Sequence, residues 1–214
     1  MDLFIVGAGG HGKVVAEIAK LAQRYEQIFF LDDMAPVGSV GPLGLPVAGP
    51  IGSVRSGKGK EYVVAIGSSV LREEIMGSLM REGCAMATLV HPSAVVSEDA
   101  RLGVGTVVMA GAVVNPGAQV GKGCIINTAA SIDHDTVVGD YAHISVGAHL
   151  AGGVAVGERS WIGIGAVVSN GVQIGSDCLV GAGGVVVKNL DVPGTYVGVP
   201  ARIIDKTGTS EDVL

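Results

Sequence analysis

Aliphatic residues recur at every sixth position over the second half of the chain. From Leu102 to Val192, the sixteen positions at this spacing are all Leu, Ile or Val. A helix would need a spacing near 3.6 residues, and a half-buried strand alternates every two residues. A period of six fits a short strand followed by a corner. Three such sides close a triangular coil of about 18 residues, and stacked coils share one continuous core.

A second inward residue is expected in each six-residue repeat. The residue four places after each of the first thirteen aliphatic positions is small or β-branched, as at Thr106, Ala112, Cys124 and Ala130. We expect these side chains to point inward beside the corners, where space is short. The stretch from Leu102 to Val192 holds about five coils, with strands about 4.8 Å apart. The pattern therefore predicts a parallel β-helix, although spacing alone does not set its hand.

Composition and charge argue against several classes of protein. The net charge of -6 and the pI near 5.3 do not favour a nucleic-acid binder, which needs a basic surface. No apolar run approaches the roughly 18 residues of a membrane span, and the start lacks the basic segment of a signal peptide. The three cysteines lack metal-ligand spacing, and two of them lie at inward positions. We therefore expect buried thiols and a reducing, cytoplasmic setting.

The first part of the chain alternates strand-like and helix-like segments. Apolar runs at 4–6, 28–31, 62–66 and 87–90 predict strands. Helical spacing predicts helices over 13–21 and 70–82, and the apolar face of the first would be formed by Val14, Val15, Ile18, Ala19 and Leu21. This alternation predicts a small parallel α/β domain. We therefore divide the chain into an α/β domain at 1–90, a β-helix at 91–205 and a polar tail at 206–214.

A glycine-rich loop with the spacing G-x-G-x-x-G separates the first strand from the first helix. Its glycines are Gly7, Gly9 and Gly12, and two acidic residues, Asp32 and Asp33, lie about 20 residues further on. Such a loop can hold NAD or the diphosphate of a nucleotide sugar, because glycines admit phosphates to a helix N-terminus. It can also be a tight turn without a ligand. The His11 inside the loop and the small size of the domain favour a nucleotide sugar.

Three histidines of the β-helix lie close together in sequence: His134, His143 and His149. His134 falls at a predicted corner between Asp133 and Asp135, and carboxylates beside an imidazole hold its tautomer and raise its basicity. His134 is therefore a candidate general base. His143 and His149 fall at outward positions, and a solvated side chain is the favoured reading for His149. A zinc site built from the three histidines is an alternative, but we expect no metal.

Several motifs together resemble the sialic acid/bacillosamine-type sugar O-/N-acetyltransferase family. They are the six-residue repeats, the loop at 7–12, Asp32-Asp33, and the segments 91–94, 127–128, 133–135, 143–148 and 198–201. The resemblance covers nearly the whole chain. It implies a small α/β Rossmann-like N-terminal domain followed by a left-handed parallel β-helix. It also implies a homotrimer with the acetyl-CoA site in the groove between neighbouring β-helices.

The resemblance also implies roles for individual residues. The nucleotide sugar would be bound by Gly9, Gly10, His11, Asp32, Asp33 and Gly67. His134 would be the general base, and Asp135 would tune it. The acetyl-CoA site would be lined by His143, Gly152, Ile164 and Ala182. Ala182 is a departure from the family pattern, because some relatives have Gly at that position.

The function implied is transfer of acetyl from acetyl-CoA to the 4-amino group of a nucleotide-linked sugar, by resemblance a UDP-linked 4-amino-4,6-dideoxy sugar used in surface glycan or polysaccharide synthesis. Three alternatives stay open at this point. An O-acetyltransferase of a sugar hydroxyl would use the same base. A non-enzymatic binding or scaffold protein would not need the acidic residues around His134. A β-helical carbonic anhydrase would need three histidines that converge on a metal.

Overall fold

The computed structural model describes residues 1–204, so the predicted tail at 206–214 lies outside the described residues. The N-terminal part is a five-stranded parallel sheet with the order β3-β2-β1-β4-β5. Its strands are β1 (Asp2–Val6), β2 (Gln27–Leu31), β3 (Val47–Gly49), β4 (Lys60–Val64) and β5 (Ala85–Met86). Its helices are α1 (Gly10–Leu21) and α2 (Ser69–Arg81), with short 3-10 turns at Pro42–Gly44 and Ile51–Ser53.

Helix α1 packs on the sheet through a narrower apolar face than the sequence indicated. Val15, Ile18 and Ala19 are buried as predicted. The predicted inclusion of Val14 and Leu21 is wrong, because their side chains are 38% and 47% exposed. At 100° per residue these two positions flank the buried stripe rather than lie within it.

The rest of the described chain winds into a left-handed parallel β-helix with three flat faces. Face 1 contains Leu89–Val90, Val107–Val108, Ile125–Ile126, His143–Ile144, Trp161–Ile162 and Cys178–Val180, followed by Gly194–Val197 and the antiparallel Arg202–Ile203. Face 2 contains Val95–Val96, Val113–Val114, Ser131–Ile132, His149–Leu150, Val167–Val168 and Val185–Val186. Face 3 contains Arg101–Leu102, Gln119–Val120, Val137–Val138, Ala155–Val156 and Gln173–Ile174.

Paired residues on neighbouring coils differ by 18 in number, as the period predicts; Ile126 pairs with Ile144, for example. The aliphatic and small positions alternate around one buried core. Cys124 and Cys178 are buried in it, as predicted. The β-helix therefore buries its apolar residues by stacking coils rather than by packing separate layers.

The structure corrects both ends of the predicted coil. Leu89–Val90 was expected to be the last strand of the α/β domain, but it pairs with Val107–Val108 and is the first strand of face 1. At the other end, Val192 is 59% exposed. The last coil is two residues short, so that Leu190 pairs with Ile174 and fills the interior instead.

Three edges join the faces, and residues stack along each edge at intervals of 18. The first edge, between faces 1 and 2, carries Thr128, Val146, Ile164 and Ala182. The second edge, between faces 2 and 3, carries Pro116, His134, Gly152 and Asn170. The third edge, between faces 3 and 1, carries Val104, Lys122, Asp140 and Glu158.

Helix α2 lies along the third edge and joins the two domains. Met76 approaches Gly105 and Gly123, while Ser69 donates through its hydroxyl to the carbonyl of Arg159 at 3.0 Å. One turn of an α-helix rises about 5.4 Å, and stacked coils are about 4.8 Å apart. Successive turns of α2 therefore meet successive coils, which fixes the α/β domain on the β-helix. Within residues 1–204, no helix has the length and apolar character that a membrane crossing requires.

Candidate active site

A cavity of about 360 Å³ lies between the glycine-rich loop and the first edge of the β-helix. The α/β domain contributes Gly10, His11, Val14 and Gly67, and the β-helix contributes Met109, Ile125, Asn127, Thr128, His143 and Val146. Helix α1 begins here with Gly9 as its N-cap and no side-chain capping bond. Its first backbone N–H groups are therefore free to bind an anion at the helix N-terminus.

The glycines of the loop have different structural reasons. Gly7 has a φ of 103°, a backbone conformation that residues other than glycine rarely adopt. A side chain at Gly12 would overlap the carbonyl oxygen of Gly7, so this position is needed for close packing of helix and strand. Nothing lies within 4 Å of a Cβ added at Gly9 or Gly10. Only these two glycines therefore leave open space above the helix N-terminus.

Two histidines from different domains meet at this cavity. Burial, and to a smaller extent the nearby charge of Arg72, lowers the pKa of His11 to about 4. Burial likewise lowers the pKa of His143 to about 3, with Arg72 and His11 as smaller causes. Both rings are therefore neutral at physiological pH. His11 Nε2 and His143 Nδ1 are buried and have no hydrogen-bond partner among the described residues, so each can serve a ligand.

The ring of His143 is held from two sides. Its Nε2 lies 3.1 Å from Nδ2 of Asn127. Trp161, on the next coil of face 1, stacks on the imidazole with ring centroids 5.0 Å apart and donates through Nε1 to Oγ of Ser145 at 2.5 Å. His143 is thus 8% exposed although its position faces outward from the coil, because the α/β domain and Trp161 cover it. The expectation of an outward residue is correct, but the neighbours bury it.

The carboxylates of Asp32 and Asp33 accept hydrogen bonds from backbone amides. Asp32 accepts from the amide of Ala8 and from the amide of Met34, both at 2.8 Å. Asp33 accepts from the amide of Ile51 at 2.8 Å. Neither residue lines the cavity that contains His11. Asp32 therefore shapes the glycine-rich loop, and a role of either acid in binding ribose or base stays a prediction.

His134 lies on the second edge and is exposed to solvent. Its Nδ1 is 2.9 Å from Oδ2 of Asp135, and the two side chains are 63% and 75% exposed. Asp133 accepts from the backbone amide of His134 and from Nδ2 of Asn115, each at 2.8 Å. The hydrogen bond with Asp135 raises the pKa of His134, and the charge of Asp133 raises it further. Nε2 is the nitrogen left to exchange a proton with a substrate.

Two glycines on the second edge leave room for the His134–Asp135 pair. A Cβ at Gly117, one coil earlier, would lie 2.6 Å from Oδ1 of Asp135. A Cβ at Gly152, one coil later, would overlap Nε2 of His134. Gly152 was assigned to the acetyl-CoA site, and the structure places it directly against the candidate base. Larger side chains at these positions would displace the carboxylate or the ring.

One chain does not bring all the predicted site residues together. Gly10, His11, Gly67 and His143 line one cavity at the first edge, and Ile164 and Ala182 stack further along the same edge. His134, Asp135 and Gly152 lie on the second edge. The residues assigned to the nucleotide sugar and to acetyl-CoA were expected on different domains, but His143 shares its cavity with His11. His149 lies on face 2 with Nδ1 2.8 Å from Oγ of Ser131.

The three histidines of the proposed zinc alternative do not converge within the chain. His143 lies on face 1, His149 on face 2 and His134 on the edge between faces 2 and 3. Across residues 1–204, no group of three or more His, Cys, Asp or Glu side chains is arranged to hold a metal ion.

Sequence reasoning gave no role to several residues around these two sites. Asn127 takes a repeat position that is often glycine, which is a detectable signal for a polar function. Arg72 lies in the apolar stripe of α2 with Ile75, Met76 and Leu79, and a charge at such a position marks a specific partner. Asn115 had no signal of its own, because its partner Asp133 is 18 residues away along the chain.

Comparisons with known proteins agree on one family. A family model described as the PglD N-terminal domain matches residues 2–79. UDP-N-acetylbacillosamine N-acetyltransferase of Bacillus subtilis (strain 168) is 38% identical over 109 residues, which is 49% of this chain and 50% of that protein. The alignment thus spans about half the length of that curated relative.

Solved structures extend the likeness to nearly the whole chain. The acetyltransferase domain of PglB from Neisseria gonorrhoeae FA1090 is 40% identical with a TM-score of 0.90, over 95% of this chain and 99% of that chain. The same domain has been solved in complex with acetyl coenzyme A. PerB from Caulobacter crescentus, in complex with CoA and GDP-perosamine, is 40% identical with a TM-score of 0.86, over 96% of this chain and 98% of that chain.

Proposed function

Because this chain belongs to the bacillosamine-type sugar N-acetyltransferases, we propose that it transfers acetyl from acetyl-CoA to the amino group of a nucleotide-linked amino sugar. The proposal rests on one observation: the chain has two sites whose histidines differ in burial and in protonation. The first is a cavity at a helix N-terminus with two neutral imidazoles, and the second is an exposed His134 flanked by acids. The relatives bind acetyl-CoA, or CoA and GDP-perosamine, respectively. The proposed acceptor is a 4-amino-4,6-dideoxy sugar.

The two sites would combine in a homotrimer. Within one chain the cavity and His134 lie on different edges, separated by face 2. Packing of chains side by side would bring the second edge of one copy toward the first edge of its neighbour. Exposed apolar side chains on face 2 and the first edge favour such packing: Val95, Val146, Ile164 and Val167. The complete active site would then contain His134 from one chain and His11 from another.

His134 would act as the general base. As the amine attacks the thioester carbonyl, a C–N bond forms and the nitrogen becomes cationic. Nε2 of His134 takes the proton, the C–S bond breaks, and the thiolate leaves as CoA. An imidazole is suited to this step because its pKa lies near neutrality. Asp135 stabilises the imidazolium that results, and a backbone N–H such as that of Gly152 would stabilise the thioester oxygen.

The helix N-terminus favours a diphosphate at the cavity. Gly9 and Gly10 leave open space there, and the partial positive charge of α1 favours an anion. His11 and His143 would hydrogen-bond the sugar and the acetyl donor through their unpartnered nitrogens. Gly67 lines the wall of this cavity, whereas Ile164 and Ala182 would extend the acetyl-CoA site along the first edge. The cytoplasmic location expected from the sequence fits these two soluble substrates and stays a prediction.

The test is a screen of UDP-, GDP- and dTDP-linked 4-amino-4,6-dideoxy sugars with acetyl-CoA, in which free thiol is measured. We expect turnover with at least one amino sugar and none with its 4-hydroxy analogue. Turnover with the hydroxyl sugar alone would favour an O-acetyltransferase. Binding of acetyl-CoA without turnover on any acceptor would contradict the proposal, and binding of neither substrate would leave the scaffold alternative.

Subunit sharing can be tested separately. The Gly10→Val variant blocks the cavity and His134→Ala removes the base, so each homotrimer should be inactive. Co-expression with two affinity tags gives mixed trimers in which one interface pairs an intact cavity with an intact base. We expect these trimers to regain activity. A stable monomer at micromolar concentration by sedimentation, or mixed trimers as inactive as their parents, would contradict a shared site.

A further inference from the structure

We propose that Arg72 is a positioning residue that sets the geometry of the cavity between the two domains. This inference rests on the proposed function, because that cavity is the one assigned to the acceptor. Arg72 belongs to α2, and only 1% of its surface is exposed. Its guanidinium contacts no carboxylate among residues 1–204. Backbone carbonyl oxygens hold it instead.

The four hydrogen bonds of Arg72 divide equally between the two domains. On the α/β domain, Nη1 donates to the carbonyls of Ile66 at 2.8 Å and Gly67 at 2.9 Å. On the β-helix, Nε donates to the carbonyl of Gly123 at 2.7 Å and Nη2 to that of Tyr141 at 2.5 Å. Arg72 therefore holds one loop of the α/β domain against two successive coils of the third edge.

The loop that Arg72 holds is a wall of the cavity. Gly67 lines the cavity directly, and His143 and Asn127 of the β-helix line the same cavity. The width of the cavity depends on where this loop rests relative to face 1. Arginine suits this purpose because its planar fork donates several hydrogen bonds in fixed directions, which a lysine ammonium does not reproduce.

The charge of Arg72 has a second effect on the cavity. Burial lowers the pKa of Arg72 to about 10, so the guanidinium stays positive at neutral pH. This charge acts on both His11 and His143, where it opposes protonation in addition to the larger effect of burial. A neutral imidazole presents one donor and one acceptor nitrogen, whereas a protonated one presents two donors. Arg72 thus supports the form of both rings that can accept a hydrogen bond from a sugar hydroxyl.

The experiment compares Arg72→Met and Arg72→Lys with Arg159→Met as a matched control. Arg159 joins the same helix to the same edge through Glu73 at 3.2 Å, but it is 24% exposed and does not line the cavity. We expect Arg72→Met to raise the acceptor KM about tenfold, equivalent to about 1.4 kcal/mol, while kcat changes less because the hydrogen bonds of Arg72 go to backbone carbonyls and not to the proposed base. Arg159→Met should lower thermal stability without this change in KM.

Histidine titrations followed by NMR in the free protein provide a readout that needs no acceptor. Arg72→Met should shift the titration midpoints of His11 and His143 upward, because a nearby cation is removed. Arg72→Lys should keep the midpoints near those of the wild type, because the positive charge is retained. It should still raise the acceptor KM, because an ammonium cannot replace the hydrogen bonds of the planar guanidinium. If Arg72→Met does not fold, Arg72→Lys still tests the KM effect.

Two results would overturn the proposal. One is an acceptor KM for the Arg72 variants that matches Arg159→Met, which would reduce Arg72 to a structural clamp. The other is unchanged histidine midpoints in Arg72→Met. Failure of the proposed function would look different, because the wild-type protein would then turn over no acceptor while the titrations could still be read.

Discussion

The two histidines of the cavity differ from the histidine of the second edge in burial, in hydrogen-bond partners and in pKa. His11 and His143 are enclosed by the two domains, have no carboxylate partner within residues 1–204 and have lowered pKa values of about 4 and about 3. His134 is exposed, bonded to Asp135 and has a raised pKa. When the surroundings shift the pKa values of two similar side chains in opposite directions, the two side chains are suited to different chemical roles. The cavity therefore offers neutral rings suited to binding, and the second edge offers an imidazole suited to accepting a proton.

The largest effect should come from removing the proposed base, His134. His134→Ala should lower kcat by about 10²–10⁴-fold, the usual contribution of a general base, because the second edge carries no other imidazole among residues 1–204. The fold should be preserved because the side chain is exposed. Steady-state kinetics at saturating substrates from pH 6 to 9 measure kcat. Calorimetric titration should show that the variant still binds acetyl-CoA. Full turnover in this variant would remove His134 from the mechanism.

A histidine of the cavity should affect binding rather than proton transfer. His11→Ala removes one neutral hydrogen bond of about 0.5–1.5 kcal/mol, so the acceptor KM should rise about 2- to 12-fold. The acidic limb of the pH–rate profile should not move, because a ring with a pKa of about 4 does not titrate in the working range. Initial rates across acceptor concentrations at several pH values check both points. A shift of the acidic limb in His11→Ala would show that His11 also titrates in the working range, as His134 does.

Asp135→Asn should change the second edge by a smaller amount. Loss of the carboxylate removes the main cause of the raised pKa of His134. His134 must be neutral to accept a proton, so activity falls as the pH drops through its pKa. A lower pKa therefore moves the acidic limb to lower pH. The loss of kcat at pH 8 should be about fivefold or less, as expected for an exposed ion pair. An acidic limb that stays in place would contradict the pairing.

The smallest effect is expected at His149. It is exposed on face 2, and its Nδ1 lies 2.8 Å from Oγ of Ser131. His149→Ala should change kcat and KM by less than about twofold, as is usual for surface substitutions away from a site. It serves as the matched control for His134→Ala, since both remove an exposed imidazole from the same β-helix. A large loss would place face 2 within the active site.

The sequence predicts the β-helix well because each coil repeats one local rule. Ile126 is buried and pairs with Ile144 for the same reason that Val138 pairs with Val156: inward aliphatic residues recur every sixth position. The rule fails only where the repeat changes length. Val192 continues the spacing, but the coil there is two residues short and Leu190 takes the interior place.

The candidate site was less predictable because it depends on contacts between distant segments. His143 holds an outward position, and nothing nearby in sequence indicates that α1 and Trp161 cover it. The acidic neighbours of His134 are adjacent in sequence, so that site was visible. Arg72 was missed because its four carbonyl partners belong to three separate segments of the chain. Local patterns thus reveal the second edge and the glycine-rich loop, but not the way the two domains enclose His143.

The agreement between the turns of α2 and the stacked coils also limits how a chain of this kind can change in length. Helix α2 contacts the third edge from Gly105 to Arg159, so one residue added inside a coil of that stretch would shift every later contact. A whole coil of about 18 residues added beyond Arg159 would leave those contacts in place. Related chains should therefore differ in the length of the β-helix by whole coils at its C-terminal end, in steps of about 4.8 Å.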